Sequence, residues 1–139
     1  MKIYKCLNCK TECKVSHQKT NKYCSVKCQH EYQSKTYITE WQQGIQTGIK
    51  GQSDVSNYVR KYLFDKFHNK CCKCGIDSWM NEPISLEIEH KDGDSLNNKE
   101  ENLELLCPNC HSQTSTYKNK NKGNGRHSRR ERYAEGKSY

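Results

Sequence analysis

Residues 102–111 read NLELLCPNCH, and this stretch decides most of the fold. The apolar side chains at 103–106 have the composition of a short buried strand. Cys107 and Cys110 follow at the spacing of a metal-binding turn, and Pro108 between them suits the first turn of a helix. We therefore expect a strand that leads into a helix at a metal site.

A second cysteine pair, further toward the N-terminus, completes this metal site. Cys71 and Cys74 are spaced as C-x-x-C, and Gly75 permits the tight turn that follows the second ligand of a zinc knuckle. The two pairs together provide four thiolates for tetrahedral zinc. The site encloses the thirty-two residues between Cys74 and Cys107, and Cys72 is left over.

The enclosed insert contains a predicted strand, a loop and the second strand. Residues 84–90 alternate apolar and polar side chains, which is the period of a half-buried strand and places His90 on the same face as Ile88 and the other apolar residues. Residues 92–98 are dense in turn-forming residues. We expect the helix that follows the second strand to pack on the face from which His90 points.

Another complete set of paired cysteines lies near the N-terminus, where fourteen residues separate a C-x-x-C pair from a C-x-x-x-C pair. Its members are Cys6, Cys9, Cys24 and Cys28. This spacing suits a second structural zinc ion. Cys13, His17 and His30 compete for a ligand position, although none of them forms a better-spaced pair.

The same segment has the order of elements found in a small zinc finger. Ser25 can cap a helix that begins near Cys24 and continues through Tyr32. A knuckle followed by a hairpin and a ligand-bearing helix resembles a treble-clef finger. We expect this finger over residues 1–35.

The middle of the chain connects the two cysteine sets. Residues 36–52 are polar and contain three glycines, and we interpret them as a helix end followed by a partly ordered linker. A helix is predicted to start near Ser53 or Asp54, because apolar residues then recur at the spacing of one helical face. They are Val55, Tyr58, Val59, Tyr62, Leu63 and Phe67. This face is expected to pack into a core.

Composition limits how the chain can be stabilised. Hydrophobic residues make up only 32% of the sequence and the mean hydropathy is −1.19, so a large apolar core is excluded and metal sites must contribute. The first ten residues are rich in lysine and cysteine and do not resemble a signal peptide, and no apolar run could cross a bilayer. We expect reduced cysteines and an intracellular location, without a membrane partner.

Charge is distributed unevenly along the chain. Residues 1–52 carry +6, residues 53–117 carry −4 and residues 118–139 carry +6. Two basic arms around an acidic centre indicate a polyanion held at both ends while the centre uses carboxylates or metal. Lysine-rich ends that merely keep a small protein in solution are the alternative.

Two stretches, residues 89–94 (EHKDGD) and 102–111 (NLELLCPNCH), together resemble the ββα-metal motif of HNH endonucleases in its four-cysteine form. The order His90, Asn102, His111, with steps of twelve and nine residues, is similar to that family. The likeness covers about residues 69–117, and the flanks look like small phage-type HNH proteins. The resemblance implies a small zinc-stabilised α+β fold in which a finger precedes a nuclease module. The expected domains are a finger at 1–35, a linker at 36–52, a module at 53–117 and a basic tail at 118–139.

The resemblance also assigns roles to individual residues. His90 and Asn102 match the catalytic pair, with His90 as general base and Asn102 bracing the loop and the base. Glu89 and His111 match ligands of one catalytic divalent cation, although Glu89 stands where the family often has aspartate and would point away from His90 on an ideal strand. A packed core histidine, an exposed strand carboxylate and a zinc-bound His111 are the alternatives to these roles. Asp92 and Asp94 are expected to stabilise the turn rather than join the metal.

The implied chemistry is hydrolysis of DNA phosphodiester bonds in homing or phage genome processing, in the cytoplasm of a bacterial host if the chain is phage-encoded. Two structural Zn²⁺ and one catalytic cation are implied; Mg²⁺ is expected from its abundance, while Mn²⁺, Ni²⁺ or Zn²⁺ would also suit a shell that contains histidine. We expect a monomer or weak dimer whose tail holds DNA. The tail residues are Lys118, Lys120, Lys122, Arg126, Arg129, Arg130 and Arg132.

Two rival functions use the same cysteines and basic arms. One is a zinc protein that binds DNA without cutting it, and the other is an RNA-binding or ribosome-associated zinc protein. Neither explains why Glu89, His90, Asn102 and His111 occur together in this order. The combination therefore favours an enzyme.

Overall fold

The structure is a computed structural model that describes residues 1–18, 20–121, 131 and 134–136. Within residues 1–121 short antiparallel strand pairs alternate with helices, so the chain has the expected α+β character. The strands are β1 Ile3–Lys5, β2 Glu12–Lys14, β3 Ile49–Lys50, β4 Asp54–Val55, β5 Ser78–Trp79, β6 Glu82–Pro83, β7 Glu87–His90 and β8 Leu103–Leu106. The helices are α1 Val26–Gln42, α2 Asn57–Lys66 and α3 Pro108–Ser112.

Helix α1 extends well beyond Tyr32. Ser25 caps it as predicted, because its side chain accepts a hydrogen bond from the backbone N–H of Cys28. The helix continues through Tyr32 to Gln42, within the segment interpreted as a helix end, and Gly44 follows with φ +80°. The extra turns carry Trp41 into the core, where only 5% of it is exposed.

Helix α2 begins later than predicted. Residues near 53 and 54 do not start it, because Asp54 and Val55 pair with Ile49 and Lys50 in the β3–β4 hairpin. Ser56 then caps the helix by accepting a hydrogen bond from the N–H of Tyr58. Val55 is buried as expected, but from a strand rather than from a helical face.

Two small hydrophobic clusters form the interior of the described residues. The larger one joins α1, α2 and the β7–β8 pair, and its buried members are Trp41, Val55, Val59, Leu63 and Leu103. The smaller one surrounds the second cysteine set, and its buried members are Cys71, Leu106 and Cys107. Both are modest, as the low apolar content requires.

The β7–β8 pair carries the candidate site. Its first strand differs from the prediction in where it begins and in where Ile84 packs. Strand β7 starts at Glu87 instead of residue 84, because residues 78–83 form their own hairpin and the N–H of Ile84 bonds to the carbonyl of Asp77. Ile84 therefore packs in the smaller cluster, whereas Ile88 packs against the larger one. Helix α3 follows β8 directly and contacts both strands.

No helix among the described residues is long and apolar enough to cross a membrane. Of the tail residues expected to hold DNA, Lys118 and Lys120 are described and exposed. The others lie outside the described residues, and they are Lys122, Arg126, Arg129, Arg130 and Arg132.

Candidate catalytic and metal-binding site

The N-terminal cysteines converge on one point. A ligand atom from each of Cys6, Cys9, Cys24 and Cys28 lies within 4.8 Å of the others. The Cys9 and Cys24 sulfurs are 3.6 Å apart, and those of Cys24 and Cys28 are 3.4 Å apart. The first pair sits in the turn between β1 and β2, and Cys28 is in the first turn of α1.

The second cysteine set converges in the same way. Cys71, Cys74, Cys107 and Cys110 also lie within 4.8 Å of one another through their sulfurs, and 3.7 Å separates Cys74 from Cys107. Gly75, with φ +76°, closes the knuckle as predicted. Cys107 also caps α3, since its sulfur accepts a hydrogen bond from the N–H of Cys110.

Both sets fit a structural metal ion. Zinc–sulfur bonds of about 2.3 Å in a tetrahedron place the sulfurs about 3.8 Å apart, close to the separations found. Burial raises the pKa of Cys71, but backbone N–H groups directed at its sulfur outweigh burial and lower the pKa to about 6. Burial, and hydrogen bonds that the Cys110 thiol donates to neighbouring cysteine sulfurs, raise the pKa of Cys110 to about 12. A divalent cation would relieve this mutual repulsion of thiolates.

The competing ligands lie outside both clusters. Cys13, His17 and His30 belong to neither group of converging ligands, so the paired-cysteine assignment of the first set agrees with the geometry. Cys72 is exposed, and its sulfur is 3.7 Å from a carboxylate oxygen of Glu104. All ten cysteines are free thiols.

Helix α3 places His111 against two carboxylates of β7. The Nε2 atom of His111 is 2.7 Å from Oε2 of Glu89, and Nδ1 contacts Oε2 of Glu87. Glu89 is buried, whereas the side chain of Glu87 is 52% exposed. Because strand residues two apart share a face, Glu87 and Glu89 meet the same helix. Glu87 was missed in the sequence, although the period-two alternation places it beside Glu89.

The segment after α3 closes over this group. The hydroxyl of Thr116 donates to Oε1 of Glu89, and the ring of Tyr117 meets His111 edge to face at 5.1 Å between centroids. Both oxygens of Glu89 are thus held by neighbours. Nothing in the sequence pattern distinguished Thr116, because it approaches Glu89 only through the turn after α3.

His90 lies on the opposite face of β7. Its Nε2 atom is 2.6 Å from Oδ1 of Asn98, a residue that the sequence did not single out. The prediction that α3 packs on the His90 face is therefore wrong. Consecutive strand residues point to opposite sides, and α3 covers the side of Glu89.

Asn102 fastens the loop between β7 and β8. Its Nδ2 group donates to Oδ1 of Asp92 at 2.9 Å and to the carbonyl of Asn97 at 2.8 Å, and its Oδ1 accepts from the N–H of Asp92. Burial raises the pKa of Asp92, but hydrogen bonds from Asn97, from the backbone of Asp94 and from Asn102 outweigh it, so the pKa is lowered. Asp92 thus serves the turn, and among the described residues the side chain of His90 is hydrogen-bonded to Asn98 rather than to Asn102.

The structure therefore forms three groups from the predicted residues. The eight paired cysteines form two clusters, and Glu89 meets His111. His90 and Asn102 contact the same loop from its two ends. Glu89 and His111 are hydrogen-bonded to each other and are not part of a converging group of three or more ligands within the described chain.

Comparison with known proteins gives one informative relative. The protein named H-N-H endonuclease F-TflIV, from Escherichia phage T5, is 56% identical to this chain over 55 residues, which are 40% of the chain and 24% of the relative. The chain thus spans about a quarter of that relative's length. No family model matches the chain, and no solved structure matches it significantly. The resemblance to the HNH endonuclease family is confirmed by this phage relative for part of the chain, and the two four-cysteine clusters fit zinc.

Proposed function

We propose that the chain is a metal-dependent HNH endonuclease that hydrolyses DNA phosphodiester bonds. The single observation that carries the proposal is that Glu89, which precedes His90 on β7, is paired with His111 of α3. An imidazole and a buried carboxylate that meet on a strand–helix pair can hold a divalent cation, and His90, the next residue at the end of the strand, would supply a general base from the other face. The name of the phage relative supports DNA as the substrate.

We infer that each cysteine cluster holds structural Zn²⁺. The four-thiolate donor sets suit zinc because soft sulfur ligands in a tetrahedron favour it over Mg²⁺ or Ca²⁺. The first cluster would join the β1–β2 turn to α1, and the second would join the knuckle at 71–75 to α3. Cysteines that bind zinc must be reduced, and this requirement together with the phage relative supports action inside a bacterial host cell.

The catalytic cation would be held by Glu89 and His111. When bound, a divalent cation supplies charge stabilisation to a phosphate under attack. Mg²⁺ is the candidate by abundance, and a site with one imidazole also accepts Mn²⁺, Ni²⁺ or Zn²⁺. His90 accepts a proton from water, a role that histidine side chains commonly have in hydrolytic enzymes. Products with 5′-phosphate and 3′-hydroxyl ends are expected.

Glu87 extends this site as a positioning residue. A histidine that binds metal through one ring nitrogen usually donates its other N–H to a carboxylate, which fixes the ring. The contact of Glu87 with Nδ1 of His111 meets that requirement and leaves Nε2 directed at Glu89.

Glu87→Gln is therefore expected to weaken Mn²⁺ binding about 10- to 100-fold, as loss of such a partner typically does. Titration calorimetry with zinc-loaded protein measures the affinity. The matched control is Glu101→Gln, an exposed carboxylate at the far end of the loop, which should bind Mn²⁺ like the unmodified protein. Equal affinities for all three proteins would remove Glu87 from the site.

The basic arms are proposed to hold the DNA backbone. Each phosphate that they neutralise adds about 0.9 to the slope of log affinity against log salt. Deletion of residues 118–139 should weaken binding, lower that slope by several units and leave the metal requirement unchanged, with slow cleavage at low salt. Fluorescence anisotropy with a labelled duplex over a salt series gives both quantities. If full-length and truncated proteins share one slope and one midpoint, the tail serves solubility only.

The proposed function is tested with supercoiled plasmid. Zinc-loaded protein should give nicked or linear DNA when Mg²⁺ or Mn²⁺ is added, whereas a zinc protein that only binds DNA would retard the plasmid without cutting it. An RNA-binding protein would instead prefer an RNA competitor over duplex DNA. We expect a monomer or a weak dimer, which sedimentation under the same conditions measures.

A further inference from the structure

The loop residue Asn98 is the contact of His90 that the family resemblance does not explain. Only 2% of Asn98 is exposed, although asparagine is usually a surface residue. Its Oδ1 atom lies 2.6 Å from Nε2 of His90. A polar side chain this deeply buried is normally held by several partners, and each of them constrains its orientation.

Two further neighbours, Trp41 and Gly48, fix Asn98. The indole N–H of Trp41 donates a hydrogen bond to the main-chain carbonyl oxygen of Asn98 at 2.7 Å. The Nδ2 group of Asn98 faces the main-chain carbonyl of Gly48 at 3.5 Å. Gly48 has φ +75°, and a Cβ atom there would lie 2.8 Å from Nε1 of Trp41. Only glycine therefore permits this close approach of the three residues.

The surroundings of Asn98 decide which of its side-chain atoms faces the histidine. A backbone carbonyl only accepts hydrogen bonds, so the NH₂ group must be the atom that faces Gly48. The side-chain oxygen is then directed at His90, so Nε2 must carry a proton, and in the neutral form of the ring Nδ1 is the unprotonated nitrogen. Nδ1 is left with its lone pair, and no hydrogen bond to it is found in the part of the chain that the structure describes.

We propose that Asn98 is a positioning residue that holds the Nε2–H of His90 and makes Nδ1 the nitrogen that accepts the proton from water. The proposal rests on the proposed function and deepens it. Water loses a proton to Nδ1, its oxygen forms the bond to phosphorus, and the bond from phosphorus to the 3′ oxygen breaks. The electron pair leaves with the 3′ oxygen, which takes a proton from solvent, and His90 releases its own.

Trp41 links this arrangement to the N-terminal finger. It is one residue from the end of α1, the helix whose first turn contains Cys28. The same helix thus carries a ligand of the first metal cluster at one end and the support of Asn98 at the other. The segment expected to be a linker instead supports the candidate base.

The tautomer of His90 is measured directly by long-range ¹H–¹⁵N correlation spectra of the full-length, zinc-loaded protein at pH 8, where an ordinary imidazole with a pKa near 6.5 is neutral. The signals of His90 are identified by their loss in His90→Gln. The expected spectrum shows protonated Nε2 and unprotonated Nδ1. A His90 ring protonated at Nδ1 would overturn the proposal whether or not the protein cuts DNA.

Substitutions of Asn98 separate the effect of the hydrogen bond to His90 from the effect of side-chain volume. Asn98→Leu has no acceptor and should lower kcat for plasmid cleavage about 10- to 100-fold with little change in KM, and the fixed tautomer should be lost. Asn98→Asp keeps an acceptor oxygen, so it should keep the tautomer and retain more of kcat. Trp41→Phe removes only the indole N–H and should give a smaller loss. The control is Asn57→Ala at the exposed start of α2, which should match the unmodified protein.

The outcomes are distinct. Unchanged kcat and an unchanged tautomer in Asn98→Leu would show that Asn98 does not position His90. If Asn98→Leu fails to fold, Asn98→Asp and the spectrum of the unmodified protein still decide the question. If the unmodified protein does not cut DNA with any metal, the proposed function fails, while the spectrum continues to test the tautomer.

Discussion

Removal of the metal from Cys71, Cys74, Cys107 and Cys110 is expected to unfold the segment that carries His90 and His111. Zinc binding by finger-type sites releases about 10–16 kcal/mol at pH 7, whereas a whole small domain has a net stability of about 5–15 kcal/mol. The apolar cluster around this site has three buried members, of which two are the ligands Cys71 and Cys107. Without the metal, α3 would be held against β7 mainly by the polar contacts of His111 and Thr116 with Glu87 and Glu89, and we expect these contacts to be too weak to keep the segment folded.

Circular dichroism during chelation and zinc readdition measures this loss, and elemental analysis should give two zinc ions per chain. Cys107→Ser should unfold the segment, whereas Cys72→Ser should not, because Cys72 is an exposed thiol on the same knuckle outside the converging set. The pair of variants controls for a general effect of removing thiols. A chelated protein that keeps its spectrum and its melting temperature would refute the structural role of the metal.

His90→Ala is expected to reduce plasmid cleavage about 10²- to 10⁴-fold, which is the usual contribution of a general base. DNA affinity should remain, because His90 is outside both cysteine clusters. The variant leaves Oδ1 of buried Asn98 without its partner, so the free energy of unfolding should fall by about 1–3 kcal/mol.

Cleavage rates, duplex affinity and thermal melts of one preparation separate these effects. His68→Asn is the control, because it removes an exposed histidine whose positive φ asparagine tolerates. His111→Ala should instead weaken cation binding, and excess Mn²⁺ should restore part of the rate. Wild-type cleavage by His90→Ala would show that another group activates water.

The features predicted well from the sequence are those that local spacing determines. Both cysteine sets, the cap at Ser25 and the start of α3 at Pro108 depend on residues within a few positions of one another. Pairing of residues 103–106 with the strand that ends at His90 also follows from patterning, since both ends of the insert are tied to one metal site.

The features that were missed include a contact between distant segments and two local ones. The bond from Trp41 to Asn98 spans 57 positions, and no periodicity signals it. The spacing of Val55 fits the apolar face of α2, but in the structure Val55 pairs with Ile49 in the β3–β4 hairpin. Glu87 could have been found, because alternation alone places it beside Glu89.

The most direct test of the central claim is incubation of zinc-loaded protein with supercoiled plasmid, without added divalent metal and then with Mg²⁺ or Mn²⁺. The account predicts nicked or linear product only when the metal is present, none with His90→Ala, and ends that ligase rejoins without a kinase because they carry 5′-phosphate and 3′-hydroxyl groups. A folded, zinc-loaded protein that binds the plasmid and leaves it supercoiled under every metal condition would contradict the account.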